Sequence, residues 1–313
     1  VARALLAEGF RVRALLRRSS SRENLAGLDV EVADGDMRDP EAVAMAARGV
    51  RHLFHVAADY RLWARDPGEI LAANLEGTRN VMQAGLAAGV ERVVYTSSVA
   101  TIRCGGGAPA DETEALTAAK AVGAYKRSKV IAESLVRGMI AEKGLPAVIV
   151  HPSTPVGPRD VKPTPTGRII LEAARGRMPG YVDTGLNLVH VDDVAAGHVA
   201  ALRRGVVGQS YILGGQDASL AAMLADIAAL RGRRAPRLRF PRQLIYPFAL
   251  AAEAAARVTC KEPFVTLDGL RMSRHRMFFS SAKAERELGY RARSYADGLR
   301  DAIDWFERSG RLK

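Results

Sequence analysis

Cysteine, tryptophan and acidic side chains are scarce in this chain, whose 313 residues hold two Cys, two Trp and 34 Asp or Glu against 46 Lys or Arg. Cys104 and Cys260 are too few to staple a domain of this size, so a hydrophobic core must hold the fold and a reducing, cytoplasmic setting is expected. Neither thiol is given a role. No signal-peptide pattern opens the sequence. The most apolar stretch, "LIYPFALAAEAAARVTC", is broken by Pro247, Glu253 and Arg257. It falls short of the ~20 uninterrupted apolar residues that cross a bilayer, so stable membrane insertion is not expected. Zinc-ligand spacing, a helix-turn-helix pattern and aromatic-rich RNA-binding motifs are missing, which argues against nucleic acid as a partner and against a metal site. The net charge of +12 leaves an acidic membrane surface or a phosphorylated small molecule as the anionic partner.

What the chain does have is an apolar share of 48%, enough for one large α/β domain with a smaller lobe, or two modest domains. "VARALLAEGF" reads as a helix stopped by Gly9, and "RVRALL" and "VEVADGD" as strands. Asp39 and Pro40 supply an N-cap and a first-turn proline for "EAVAMAARG". There follow the strand "RHLFHVAA", the helix around "ILAANLEGTRNVMQAGLAAG", the strand "RVVYTSS", the helix "AVGAYKRSKVIAESLVRGMIAEKG" and the strand "AVIVHP". This β-α-β-α order predicts a doubly wound α/β fold of Rossmann type, with helices on both faces of a parallel sheet. Residues 1–155 are expected to form the dinucleotide-binding domain. Residues 156–313 are expected to form mainly a substrate lobe, with a segment near 186–203 returning to the first domain. Pro152, Pro155, Pro158, Pro163 and Pro165 predict a loop where helix is disfavoured. The last helix, "YADGLRDAIDWFERSG", sets Leu299, Ala302, Ile303 and Phe306 on one face.

The candidate chemistry lies in "GAYKRSKVIAES". Residues four apart share a helix face, so Lys129 can lie beside Tyr125 while Lys126 and Arg127 point elsewhere. A phenol titrates near ~10, and half-ionisation near pH ~7 needs a shift of ~3 units, roughly 4 kcal/mol. A lysine at close range in a site shielded from water, helped by a cationic cofactor ring, can supply that. The strand "RVVYTSS" ends in Ser97 and Ser98, and strand carboxyl ends border the ligand crevice in a parallel sheet. Either hydroxyl could serve there as donor, with Ser98 preferred.

Serine after this strand and Tyr-x-x-x-Lys on the next helix resemble the short-chain dehydrogenase/reductase superfamily. Further stretches narrow the resemblance to its extended branch, the NAD-dependent epimerase/dehydratase family. "HLFHVAADY" is similar to that branch's segment beside the cofactor ribose, "NLEGTRNV" to its Asn-x-x-Gly-Thr-x-Asn helix, and "HPSTPVGP" to its nicotinamide loop. "LVHVDDVAAGHVAAL" and "SSAKAERELGY" match a helix start and a C-terminal signature. Within the branch the chain most resembles the dihydroflavonol-reductase-like group and the hopanoid-associated sugar epimerases. The resemblance implies an NAD(P)-dependent oxidoreductase or epimerase acting on a sugar-like or other secondary alcohol or ketone. Ser98 would hold the reacting oxygen, Tyr125 would exchange its proton, and Lys129 would lower the phenol's pKa while holding the nicotinamide ribose. Asp36 and Met37 would lie at the adenine, and Ala57, Ala58, Thr96 and Pro152 along the rest of the cofactor. Homodimer formation, common in the family, is a further expectation. The alternative is a non-catalytic, NADP-binding redox sensor or an inactive fragment; retention of Ser98, Tyr125 and Lys129 together argues against it.

Sites of this type choose NAD with an acidic residue near the end of the second strand and NADP with an arginine. Here "RVRALL" runs into Arg17, Arg18 and Ser19, with no carboxylate before Glu23. NADP is therefore expected, with Arg17 as its contact, NAD being the alternative. The family's first strand and glycine-rich phosphate turn have no counterpart in these residues. The expectation is a longer natural protein, with the 313-residue chain alone unstable or inactive and about ten to fifteen upstream residues restoring NADP binding. Asn74, polar in an apolar helix, either braces backbone or relays protons. His190 and Asp192 resemble a helix start with the aspartate as cap, and His151 a structural residue. Arg168, Arg271, Arg274 and Arg276 could meet a diphosphate. The helix "RQLIYPFALAAEAAARV" is expected to pack into the core; basic ends would also let it lie on a membrane as a weak peripheral contact.

Overall fold

The computed structural model describes residues 1–105 and 107–312. Helix α1 (Ala2–Ala7) stops at Gly9, whose φ of 79° suits glycine alone at little cost, and β1 (Val12–Leu16) follows. After β2 (Val30–Asp34), Asp39 accepts from the backbone N–H groups of Glu41 and Ala42 and starts α2 (Pro40–Ala47) with proline in its first turn. Strand β3 (His52–His55) leads to α3 (Pro67–Ala87), begun by the same device at Asp66 and Pro67. Strand β4 (Arg92–Thr96), α4 (Gly123–Lys143) and β5 (Ala147–Pro152) complete the first half.

Strands β3, β4 and β5 are joined by β9 (Ser210–Leu213) in one parallel sheet of order β3-β4-β5-β9, and β1 pairs in parallel with β2. No strand joins β1 to β3 among the described residues, and β1 is half-buried along its whole length. Successive side chains of a strand point to opposite faces. Val93, Tyr95, Ala147 and Ile149 accordingly pack under α2, α3 and α4 with Val81, Met82 and Val136. Val94, Val148 and Val150 meet α6 (Val191–Arg204) and α10 (Ala282–Leu288) on the other face. This is the doubly wound α/β arrangement expected from the alternation of strands and helices.

Segments after β5 build a second core. Short strand β6 (Thr154–Val156) pairs with β8 (Gly185–His190), which pairs antiparallel with β10 (Gln216–Ser219). Helices α5 (Pro165–Ala174), α7 (Leu220–Leu230) and α11 (Tyr295–Arg308) close over them, with Leu299, Ala302, Ile303 and Phe306 buried as the periodicity requires. Strand β11 (Leu238–Arg239) pairs with β7 (Gly180–Tyr181), and α8 (Arg242–Thr259) packs chiefly on α9 (Leu267–Met272).

Three expectations need correction. The proline-rich stretch is not all loop, because Pro155 lies within β6 and Pro165 opens α5, where its missing N–H costs no hydrogen bond. The return to the sheet is wider than 186–203, since β9 and α10 also pack there. Helix α8 is not a core helix: only Ala249 and Ala256 are buried in it. No helix among the described residues is long and apolar enough to cross a membrane.

Candidate active site

Strand β4 ends at Thr96, and the two serines beyond it part company. Ser97 is buried, and its Oγ donates to Glu133 Oε2 at 2.6 Å. The same carboxylate accepts from His151 Nε2 at 3.0 Å and from Arg137 Nε at 2.9 Å. Ser98 turns the other way. Its Oγ accepts from the Ala100 backbone N–H at 3.1 Å, and its hydrogen bonding favours the ionised form of the Tyr125 phenol. Ser97 therefore belongs to the interior, and Ser98 is the half-buried hydroxyl of the pair.

Helix α4 starts at Gly123 with φ of 81°, and a Cβ there would stand 2.6 Å from Asp268 Oδ2 of α9. Glycine is thus required at the turn that delivers Tyr125 to the crevice. Tyr125, Lys129 and Glu133 recur at four-residue steps and share one face. Lys129 is buried; its Nζ donates to the Thr96 carbonyl at 2.8 Å and stands 5.2 Å from the centre of the Tyr95 ring. Burial lowers its pKa to about 8, against the pull of the Glu133 carboxylate. Burial pushes the Tyr125 phenol up, opposed by Ser98. The Lys129 ammonium is directed at the Thr96 carbonyl, and burial dominates at the phenol, so Tyr125 is protonated at neutral pH. Lys126 is half-buried, with a pKa lowered by burial.

The site rests on a buried polar frame. Asn74 Nδ2 donates to Ser128 Oγ at 2.8 Å and to the Asp59 carbonyl at 2.9 Å, while its Oδ1 accepts from the Asp59 N–H at 2.7 Å. Ser128 Oγ in turn donates to the Tyr125 carbonyl at 2.7 Å. Of the two roles open to Asn74, backbone bracing is the one its contacts describe. His55 shares a hydrogen bond with Thr78 Oγ1 at 2.9 Å and stacks on Tyr95. His198 does the same for Thr96 Oγ1 at 2.9 Å. Burial lowers both histidines, to about 3 and about 4, so both are neutral. At α6 the cap is His190, whose Nδ1 accepts from the Asp192 N–H at 3.0 Å; Asp192 instead pairs with Arg159.

The residues expected along a dinucleotide fall into three places. Ala57 and Ala58 follow β3, one exposed and one half-buried. Thr96 and Pro152 end neighbouring strands of the sheet, and next to Pro152 the Ser153 hydroxyl is buried with no hydrogen-bond partner. Arg17 directly follows β1 near Asp36, whose carboxylate is held at 2.8 Å by Arg38 and lowered to about 2 mainly by that hydrogen bond. Met37 packs against α3 at Gly77, where a Cβ would stand 2.7 Å from its Cγ. An unsatisfied hydroxyl, a buried ammonium and a protonated phenol along one sheet edge fit a polar ligand with sugar hydroxyls. The four arginines beyond the sheet do not converge: Arg168 lies 3.9 Å from Glu262, Arg271 3.0 Å from Asp268, Arg274 3.2 Å from the Tyr246 hydroxyl and Arg276 3.8 Å from Asp183. Sequence reasoning missed Glu133 and Arg38. Glu133 was findable as the next step of the four-residue series, whereas the Arg38–Asp36 pair carries no periodic signal.

A doubly wound parallel sheet with this cluster at its carboxyl edge defines an α/β protein of the dinucleotide-binding class. The chain belongs to the NAD dependent epimerase/dehydratase family, which it matches over residues 1–214, and is an NAD-dependent enzyme of the extended short-chain dehydrogenase type. It is 43% identical, over 99% of its length and 92% of the relative's, to a protein of Synechocystis sp. named provisionally as a dihydroflavonol 4-reductase. It is 34% identical to the sterol demethylase protein B of Methylococcus capsulatus, across 99% of this chain and 95% of that one. The crystal structure of gox2253 superposes with a TM-score of 0.89 at 52% identity, covering 100% of this chain and 95% of the other.

Proposed function

We propose that the chain reduces a ketone, or oxidises the matching secondary alcohol, with NADP(H), using Ser98, Tyr125 and Lys129 to handle the oxygen and its proton. The observation that carries this reading is that buried Lys129, one turn beyond Tyr125 on the same face of α4, donates to the Thr96 carbonyl at the end of β4, directly before Ser97 and Ser98. When bound, the nicotinamide supplies the hydride. Ser98 donates a hydrogen bond to the substrate oxygen. Tyr125, protonated at rest, gives its proton to that oxygen as it gains charge. A cation on the same helix face favours the ionised form of the phenol as it gives up its proton. Lys129 is that cation.

The preference for NADP rests on what the carboxylates are doing. Asp34 is engaged by Arg22 at 2.7 Å and Asp36 by Arg38, while Arg17 and Arg18 are exposed beyond β1, and we take Arg17, the one acting on Asp36, as the contact for a ribose phosphate. We assign the sheet layer to the cofactor and the lobe built on α5, α7 and α11 to the substrate. Relatives named for a dihydroflavonol and a sterol widen the substrate class from sugar-like to ring-borne alcohols and ketones in general. The test is NADPH consumption against nucleotide-sugar, steroid and flavanone ketones by three proteins. The wild type should turn over at least one, Ser98→Ala should lose about 100-fold, and Ser97→Ala should keep kcat while losing stability. Equal activity losses in the two serine variants would overturn the assignment.

A further inference from the structure

Helix α8 is amphipathic in the inverted sense. Its two polar anchors face the protein: Arg242 donates to the carbonyls of Asp183 and Ser273, both at 2.9 Å, and Glu253 accepts from the Leu267 N–H at 2.7 Å. Its outer surface is apolar, with Phe248 71% and Val258 85% exposed and Leu244 and Leu250 exposed beside them. At 100° per residue Leu244, Pro247, Phe248, Ala251, Ala255 and Val258 form one outward stripe without a charge. Single exposed apolar residues need no explanation, but a continuous stripe marks an interaction surface.

We propose that α8 lies in the interface of a bilayer bearing anionic lipids, its apolar stripe among the acyl chains and its flanking cations among the headgroups. Eighteen residues make a rod about 27 Å long, suited to lying flat, and no helix among the described residues is long and apolar enough to cross. The charges around it match such a surface. Arg257 in the last turn and Lys261 just beyond have no carboxylate partner among the described residues. The one acidic residue of the helix, Glu253, is turned inward. A second copy of this chain is the poorer occupant, because two faces of a protein carrying +12 would oppose like charges. A stable dimer also needs roughly 600 Å² or more from each partner, more than a single helix stripe readily supplies. The docking is independent of the chemistry assigned to Tyr125.

Flotation of the full chain with vesicles of phosphatidylcholine and phosphatidylglycerol in equal parts tests this. The wild type should float with these vesicles, weakly or not at all with pure phosphatidylcholine, and less at high salt. Leu244→Glu with Phe248→Glu should lower binding by about tenfold or more, with unchanged circular dichroism. If that double variant misfolds, Val258→Ser and Leu244→Ser, which only shorten exposed side chains, should each weaken flotation by a few fold, on the order of the burial of one aliphatic group. Failure of the wild type to float with the acidic vesicles overturns the proposal, as does equal binding by folded variants. So does a wild-type dimer in sedimentation that the double variant splits without any vesicle association.

Discussion

Replacing Glu133 by alanine removes the acceptor that holds three elements of the site together. Ser97 on the β4 end, His151 on β5 and Arg137 on α4 all donate to this one carboxylate, at 2.6, 3.0 and 2.9 Å. Ser97 and His151 are 4% and 2% exposed, so their donors would be left without solvent. Breaking a buried charged network by removing one partner costs about 3–5 kcal/mol. Glu133→Gln keeps an acceptor for Ser97 or His151 and should cost about 1–2 kcal/mol. Equilibrium unfolding in urea reads both. Hydrogen bonds from His151, Ser97 and Arg137 more than offset burial and hold Glu133 below the usual carboxylate range. Its contribution is therefore complete above the unfolded value of about 4.5 and is lost as pH falls below it. The gap between wild type and Glu133→Ala should accordingly narrow on acidification through that value. A loss under about 1 kcal/mol at pH 7, or a gap that widens in acid, would refute the reading of this network.

Asn74→Ala should lower stability by about 2–3 kcal/mol, from the Asp59 N–H and Ser128 hydroxyl contacts it deletes. It should reduce kcat more than it raises the KM for NADPH, because it loosens the backbone carrying Tyr125; an unchanged kcat would count against bracing. His55, lowered to about 3 by burial against 6.5 unfolded, makes stability fall as pH drops below 6.5, since the unfolded chain takes the proton first. Urea midpoints between pH 7 and 5 check this, and a flat profile would oppose it. Arg17→Ala should raise the KM for NADPH by about tenfold or more and leave that for NADH nearly unchanged. Equal changes with both cofactors would move the phosphate contact elsewhere.

The sheet was legible because β4 and β5 are runs of apolar residues and the helices before β3 and β4 start at plain caps, Asp39 and Asp66. The shared helix face of Tyr125 and Lys129 was legible from spacing. The choice between Ser97 and Ser98 was not: adjacent residues face opposite sides, and only the partner Glu133 on another element decides which turns inward. A four-residue spacing gives Tyr125 and Lys129 a shared face but not the depth of burial or the Thr96 carbonyl that the ammonium meets. Helix α8 misled for a related reason. Its pattern gives one apolar face but not which side the protein occupies, and the anchors that turn that face outward, at Asp183, Ser273 and Leu267, lie far away in sequence.

The most direct test of the central claim separates NADPH binding from turnover in Tyr125→Phe. If a protonated phenol beside Ser98 and Lys129 delivers the proton, the variant should bind NADPH as tightly as the wild type. Its kcat for a ketone that the wild type reduces should fall by about 100- to 10,000-fold. A variant that binds NADPH normally and still reduces that ketone at a rate close to wild type would contradict the account.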